Sequence, residues 1–140
     1  MKISKSFILV CFILIFFLRN AESEVLFISN KSVKQRFLTK KNIQKIFLGK
    51  RKKWSGGHKI CIAILVKGAT HKEFLEKYVK KKPVMFSSYW YVKTMGGTRY
   101  PPKKFIAEAA LIDYVAGKDG AIGYISAGTL HEGVNVISVK

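Results

Sequence analysis

The sequence predicts an α/β domain in which a mixed sheet is flanked by helices, and three observations carry that reading. Residues 60–66 form an apolar run with no polar alternation, the pattern of a strand buried on both faces. Stretches whose apolar residues recur three and four apart alternate with such runs, as layered α/β domains require. Two further strand patterns, over 120–125 and 134–139, close the chain.

The elements follow in order. Lys2 and Lys5 precede an unbroken apolar run over 7–18, and Ala21-Glu22-Ser23 places small residues where a signal peptidase reads. This predicts a secretory signal over residues 1–23, cleaved after Ser23. A spanning helix needs about 20 apolar residues, and this run stops at Arg19. Cys11 lacks the small residues that precede a lipidated cysteine. The remainder, 24–140, has the length of one domain. Cys61 is its single cysteine, so an intramolecular disulfide is excluded, and its apolar setting reads as a buried thiol on a strand.

Residues 24–29 read as a strand and Asn30-Lys31-Ser32 as a turn. Thr39 is placed to cap a helix with Ile43, Ile46 and Phe47 on one face and Gly49 as its stop. The basic stretch Lys50-Arg51-Lys52-Lys53 leads to Trp54 and the turn Ser55-Gly56-Gly57. After the 60–66 strand, Thr70 and Glu73 have the spacing of a capping box opening a second helix, with Phe74, Leu75, Tyr78 and Val79 inward. Pro83 separates a third, aromatic-rich helix over 84–95 from the second. Residues 96–102, with two glycines and two prolines, form a loop. A fourth helix is expected over 104–116, stopped by Gly117.

The chain carries 26 Lys and Arg against 8 Asp and Glu, a formal net charge of +18. Such a field attracts polyanions, although charge runs more often mark a solvated face. The acids are scattered, with no pair placed for general acid and base work. His58, His71 and His131 are isolated and read as surface or loop residues, not as metal ligands. No serine sits on a nucleophile elbow. The pattern excludes an evident enzyme, a metal site and a cofactor site, and favours a binding protein.

Three stretches can carry binding. Lys67-Gly68-Ala69-Thr70 is a strand-to-helix turn that can offer free N–H groups to an oxyanion, although the same residues would serve an ordinary helix start. Arg99, in the 96–102 loop, can grip a phosphate or carboxylate in bidentate fashion. Lys50 to Lys53, with Lys80 to Lys82, form a basic surface.

Ile46-Phe47-Leu48-Gly49-Lys50, then Trp54, the Gly68-Ala69-Thr70 turn, Phe74, Trp90 and Gly120-Ala121-Ile122-Gly123-Tyr124-Ile125 stand in an order that resembles periplasmic phosphate-binding proteins of ABC transporters. Short, single-domain members are the nearer likeness, because Gly97-Thr98-Arg99-Tyr100-Pro101-Pro102-Lys103 matches their Gly-rich loop. The resemblance implies a lobe of the type II periplasmic-binding-protein fold, a non-catalytic role, phosphate or another small oxyanion as ligand, and an ABC transporter permease or membrane sensor as partner. It also implies a periplasmic or secreted location.

The family's turn reads close to Arg-Ser-Asp-Gly-Ser-Gly-Thr, and this chain has Leu65-Val66-Lys67-Gly68-Ala69-Thr70. Gly68 and Thr70 carry over. Ala69 lacks the hydroxyl, and Lys67 stands where an acid would accept the proton of phosphate and reject sulfate. Anion selectivity is therefore expected to be weakened or inverted. The other reading is a cationic envelope module that has lost solute binding and holds polyanions or a partner protein through its lysines, with no specific nucleic-acid recognition.

Overall fold

The apolar runs assemble into one six-stranded mixed sheet in the order β2-β6-β1-β5-β3-β4. The computed structural model describes residues 24–140, so the signal segment read over 1–23 lies outside the described residues. In chain order the elements are β1 (Val25–Asn30), β2 (Phe37–Leu38), α1 (Lys40–Phe47), β3 (Cys61–Leu65) and α2 (Ala69–Phe74), which runs on as a π-helical segment, Leu75–Val79. Then come α3 (Pro83–Met95), β4 (Lys103–Phe105), α4 (Glu108–Gly117), β5 (Ala121–Ser126) and β6 (Val134–Val139). β1 lies antiparallel between β5 and β6, whereas β3 runs parallel to both β5 and β4.

Alternation along the central strands sets the layers. On β5, Tyr124 meets His71 and Phe74 of α2, while its neighbour Gly123 faces Leu111 and Val115 of α4. A Cβ at Gly123 would stand 2.7 Å from the Leu111 side chain, so the absence of one is what lets α4 lie close to the sheet. Phe27 pairs across the ladder with Tyr124 and carries the same face. Phe27, Phe47, Phe74 and Tyr124 are fully buried and meet at ring separations of 3.8 to 6.5 Å, most of them edge to face. Each such pair adds roughly 0.5–1.5 kcal/mol beyond its buried area.

The helix ends are tied by side chains from elsewhere. Thr39 caps α1 by accepting the Asn42 N–H at 3.1 Å. At the other end, the carbonyls of Phe47 and Leu48, which the helix leaves without acceptor duty, receive Trp90 Nε1 at 3.0 Å and the Tyr89 hydroxyl at 2.6 Å. Gly49 takes the left-handed conformation expected of a stop, at φ 69°. Trp54 Nε1 donates to the Gly120 carbonyl at 2.9 Å, and Ser32 Oγ accepts the Gly120 N–H at 3.0 Å. Asn30 uses its amide to hold the carbonyls of Val115 and Ala116 at the end of α4.

The structure corrects several expectations. Gly68, not Thr70, is the cap of α2, and Thr70 lies inside the helix. The turn geometry at Gly68 starts the helix two residues early, so the Thr70-to-Glu73 spacing does not act as a capping box. Residues 103–105 form edge strand β4, and α4 begins only at Glu108, because the parallel ladder to β3 captures Lys103, Lys104 and Phe105 first. His71 is buried, not at the surface. Strand β2 and the π-helical segment carry no sequence signal strong enough to have been expected.

Gly120 is the position least open to change. Its φ is +75°, and a Cβ there would stand 2.1 Å from the Lys59 carbonyl oxygen, a backbone atom that cannot swing aside. Gly120→Ala is predicted to cost at least about 2 kcal/mol. Gly128→Ala, where a Cβ meets nothing within 4 Å, should stay within about 0.5 kcal/mol. Urea denaturation of both variants checks this, and equal midpoints would refute the constraint.

Candidate functional site

The end of β3 and the start of α2 place the turn Lys67-Gly68-Ala69-Thr70 at the surface. Gly68 has φ 98° and ψ 171°, and no atom lies within 4 Å of the place where its Cβ would be. Only glycine takes this conformation without strain. The first bond of α2 runs from the Lys72 N–H to the Gly68 carbonyl. The N–H groups of Ala69, Thr70 and His71 therefore have no acceptor within the helix. Lys67 is exposed beside them, and the Thr70 hydroxyl makes no side-chain hydrogen bond among the described residues.

Immediately after the turn, His71 points into the body of the protein. Its Nδ1 lies 2.5 Å from the Tyr124 hydroxyl, which accepts the Leu65 N–H at 3.1 Å and sits 3.4 Å from the Leu65 carbonyl. The hydroxyl proton is assigned to the shorter contact, which makes Nδ1 an acceptor and leaves the ring proton on Nε2. Burial holds the His71 ring below its ordinary value and drives the Tyr124 phenol far above its own, so both are neutral at pH 7.

A groove of about 790 Å³ runs beside the turn. It is lined by Ile64, Val66 and His71 from the β3 end and α2, by Phe86, Trp90 and Tyr91 with the hydroxyls of Ser87, Ser88 and Thr94 from α3, and by Pro101, Pro102 and Lys104. Arg99 does not line this groove. It borders a second depression of about 420 Å³ together with Arg51, Lys52, Lys53 and Lys59. The five cations make no salt bridge to a carboxylate among the described residues, where the ion pair present is Lys77 with Glu73 at 2.6 Å. Lys59 instead stands 3.4 Å from the centre of the Tyr100 ring and holds that phenol below its usual range, chiefly by hydrogen bonding.

Lys67, Gly68, Ala69 and Thr70 are thus contiguous at one place and Arg99 at another. The 50–53 run and Arg99, distant in sequence, converge. Sequence reasoning missed the groove and the burial of His71. A signal was present in the spacing of His71, Phe74, Leu75 and Val79, which share the inner face of one helix.

The comparisons with known proteins bear on this arrangement. A crystal structure from Clostridium perfringens, assigned as a phosphate ABC transporter substrate-binding protein and holding phosphate, matches with a TM-score of 0.66 at 20% identity, over 84% of this chain and 45% of that one. The likeness is one of fold. PstS from Borrelia burgdorferi matches at a TM-score of 0.62 and 16% identity, over 100% of this chain and 55% of its own. An ABC-type phosphate transport receptor from Vibrio cholerae matches at 0.54 and 19%, over 84% and 46%. The chain therefore shares the fold of the matched part of these proteins, a six-stranded mixed sheet flanked by helices, and it spans about half the length of these solved structures. No protein-family model and no curated protein matches it.

His71 makes a prediction about pH. The unfolded ring titrates near 6.5 and the folded ring lower. Below the unfolded value the unfolded chain therefore binds more protons, and stability falls with acidification. Between about pH 7 and pH 5.5 the wild type should lose stability with a slope that His71→Gln flattens. Denaturant unfolding across that window reads it out; parallel slopes would show that His71 is not held neutral by burial.

Proposed function

We propose that this protein is a non-catalytic solute-binding protein of the cell envelope that takes phosphate or another small oxyanion at the Lys67-Gly68-Ala69-Thr70 turn. The observation that carries the reading is the open turn at Gly68, where the first N–H groups of α2 have no acceptor within the helix, Lys67 is exposed, and no atom lies within 4 Å of the place of a Gly68 Cβ. Fold likeness to phosphate-binding proteins supports the ligand class. Location in the periplasm, or secretion, follows from cleavage of residues 1–23. The protein would deliver its solute to an ABC transporter permease or present it to a membrane sensor. No metal cluster occurs among the described residues, and the anion would be held by N–H groups and the Lys67 ammonium.

The missing acid has a chemical consequence. Without an acceptor for the proton of hydrogen phosphate, the turn rewards negative charge alone, so phosphate and sulfate should bind with similar strength. Each should raise thermal stability saturably, by about 2.7 kcal/mol at a hundredfold excess over Kd. Lys67→Ala should weaken both about tenfold. If neither ion stabilises the protein beyond chloride at equal ionic strength, the oxyanion reading fails.

A second reading has its own observation: five cations around the Arg99 depression, without a salt bridge to a carboxylate among the described residues. A linear polyanion fits such a surface, and a polyphosphate is the simplest probe. Binding should fall steeply with salt, and Arg99→Ala and Lys59→Ala should each lower the salt slope by about one. A slope unchanged in both variants would place polyanion contact elsewhere.

A further inference from the structure

The groove between the β3 end and α3 is larger than a small oxyanion needs, and its walls have a different chemistry from the turn. Its volume of about 790 Å³ lies within the range of organic-ligand sites, roughly 300–1,000 Å³. Val66, Phe86, Trp90, Tyr91 and the Pro101-Pro102 pair make it apolar along most of its length. The exposed ring of Tyr91, beside Val66 and the stiff Pro101, suits a flat, rigid guest.

One polar group is built into this wall. His71 is 5% exposed, lines the groove and is fixed from behind by Tyr124 at 2.5 Å. Its Nε2 has no hydrogen-bond partner among the described residues, yet it is not sealed in, because the buried side-chain polar atom left without a partner is Ser29 Oγ. A buried imidazole that lines the groove, with its ring proton assigned to Nε2, therefore presents a donor there. Lys104 adds a cation at the same groove, and no acidic side chain lines it.

We propose that this groove is a binding site for an aromatic carboxylate, its ring against the exposed Val66, Tyr91 and Pro101 and its carboxylate accepting from His71 Nε2, with Lys104 supplying the counter-charge. The inference does not rest on the anion turn. It needs only the groove and the His71 tautomer assigned from the 2.5 Å contact with Tyr124. A carboxylate answers both the N–H donor and the cation, whereas a neutral arene would leave the donor unpaired and a basic guest would meet two groups it cannot satisfy.

The test uses 2-naphthoate, its methyl ester and inorganic phosphate, each titrated separately into the 15N-labelled purified protein and followed by amide and indole chemical shifts. The expected result is a saturable shift of the Trp90 indole and of residues 86–92 with 2-naphthoate, at least about tenfold weaker with the ester. Ser87→Phe and Ser88→Phe, at exposed groove positions, leave the net charge unaltered and should abolish the effect by filling the space. His71→Gln should weaken the acid toward the ester. Groove resonances that stay still with 2-naphthoate, or shifts that survive in both phenylalanine variants, would overturn the proposal. Phosphate reports on the other reading separately, through the amides of Gly68 to Thr70. Binding of 2-naphthoate without phosphate would keep this site and remove that one, and the reverse outcome would do the opposite.

Discussion

A single buried phenol organises the interior. Tyr124 stands at the centre of the sheet with no exposure, its ring stacked on Phe74 at 3.8 Å and within aromatic contact of Phe27 and Phe47. A hydroxyl at that depth must be paired, because an unpaired one costs roughly 1–3 kcal/mol. It is paired at the only place where β3 ends and α2 begins, by the Leu65 N–H and His71 Nδ1. Satisfying that one oxygen ties the end of β3 to the first turn of α2. The turn at Gly68 and the wall of the groove inherit their positions from that arrangement.

Much of the fold was legible because it is written in local patterns. The 60–66 run became β3 with both faces covered, Thr39 caps α1 through its hydroxyl, and the two closing runs became β5 and β6. What escaped has physical reasons. Thr70 and Glu73 have capping-box spacing, but a cap requires the residue to stand outside the helix, and the glycine conformation at Gly68 begins the helix before Thr70 is reached. Lys103 to Phe105 is a short, basic strand that exists only because β3 offers it a ladder, and no pattern within three residues announces a partner forty positions away.

The residues that carry the family resemblance turn out to be joints. Trp54 is tied to Gly120, Trp90 to the Phe47 carbonyl, and Gly123 admits α4 to the sheet. Each is a long-range tie between two elements, so retaining them retains the lobe. None of these three lies in the Lys67 to Thr70 turn, the part of the resemblance where a solute would be held. Joints predict architecture well and ligand poorly, which is why the fold follows from them while any ligand chemistry would depend on positions such as Lys67 and Ala69.

The basic charge and the apolar surface are set apart in space. Arg51, Lys52, Lys53, Lys59 and Arg99 gather on one side of Trp90, and the groove opens on the other. α3 lies between, apolar on two faces: Phe86 and Trp90 turn inward, while Val84, Met85, Tyr91, Val92 and Met95 remain more than half exposed. Long-range attraction from the net positive charge acts on every anion alike and is screened within about 10 Å at 0.1 M salt. Discrimination must then arise at contact, from the size of the turn and the apolar wall of the groove. An inorganic oxyanion would gain nothing from Val66 or Tyr91, and an aromatic acid would be too large for the turn alone. On these two proposals the turn and the groove would select different anions from the same electrostatic field, and Tyr124, which touches Leu65 and His71, ties their geometry together without making them one site.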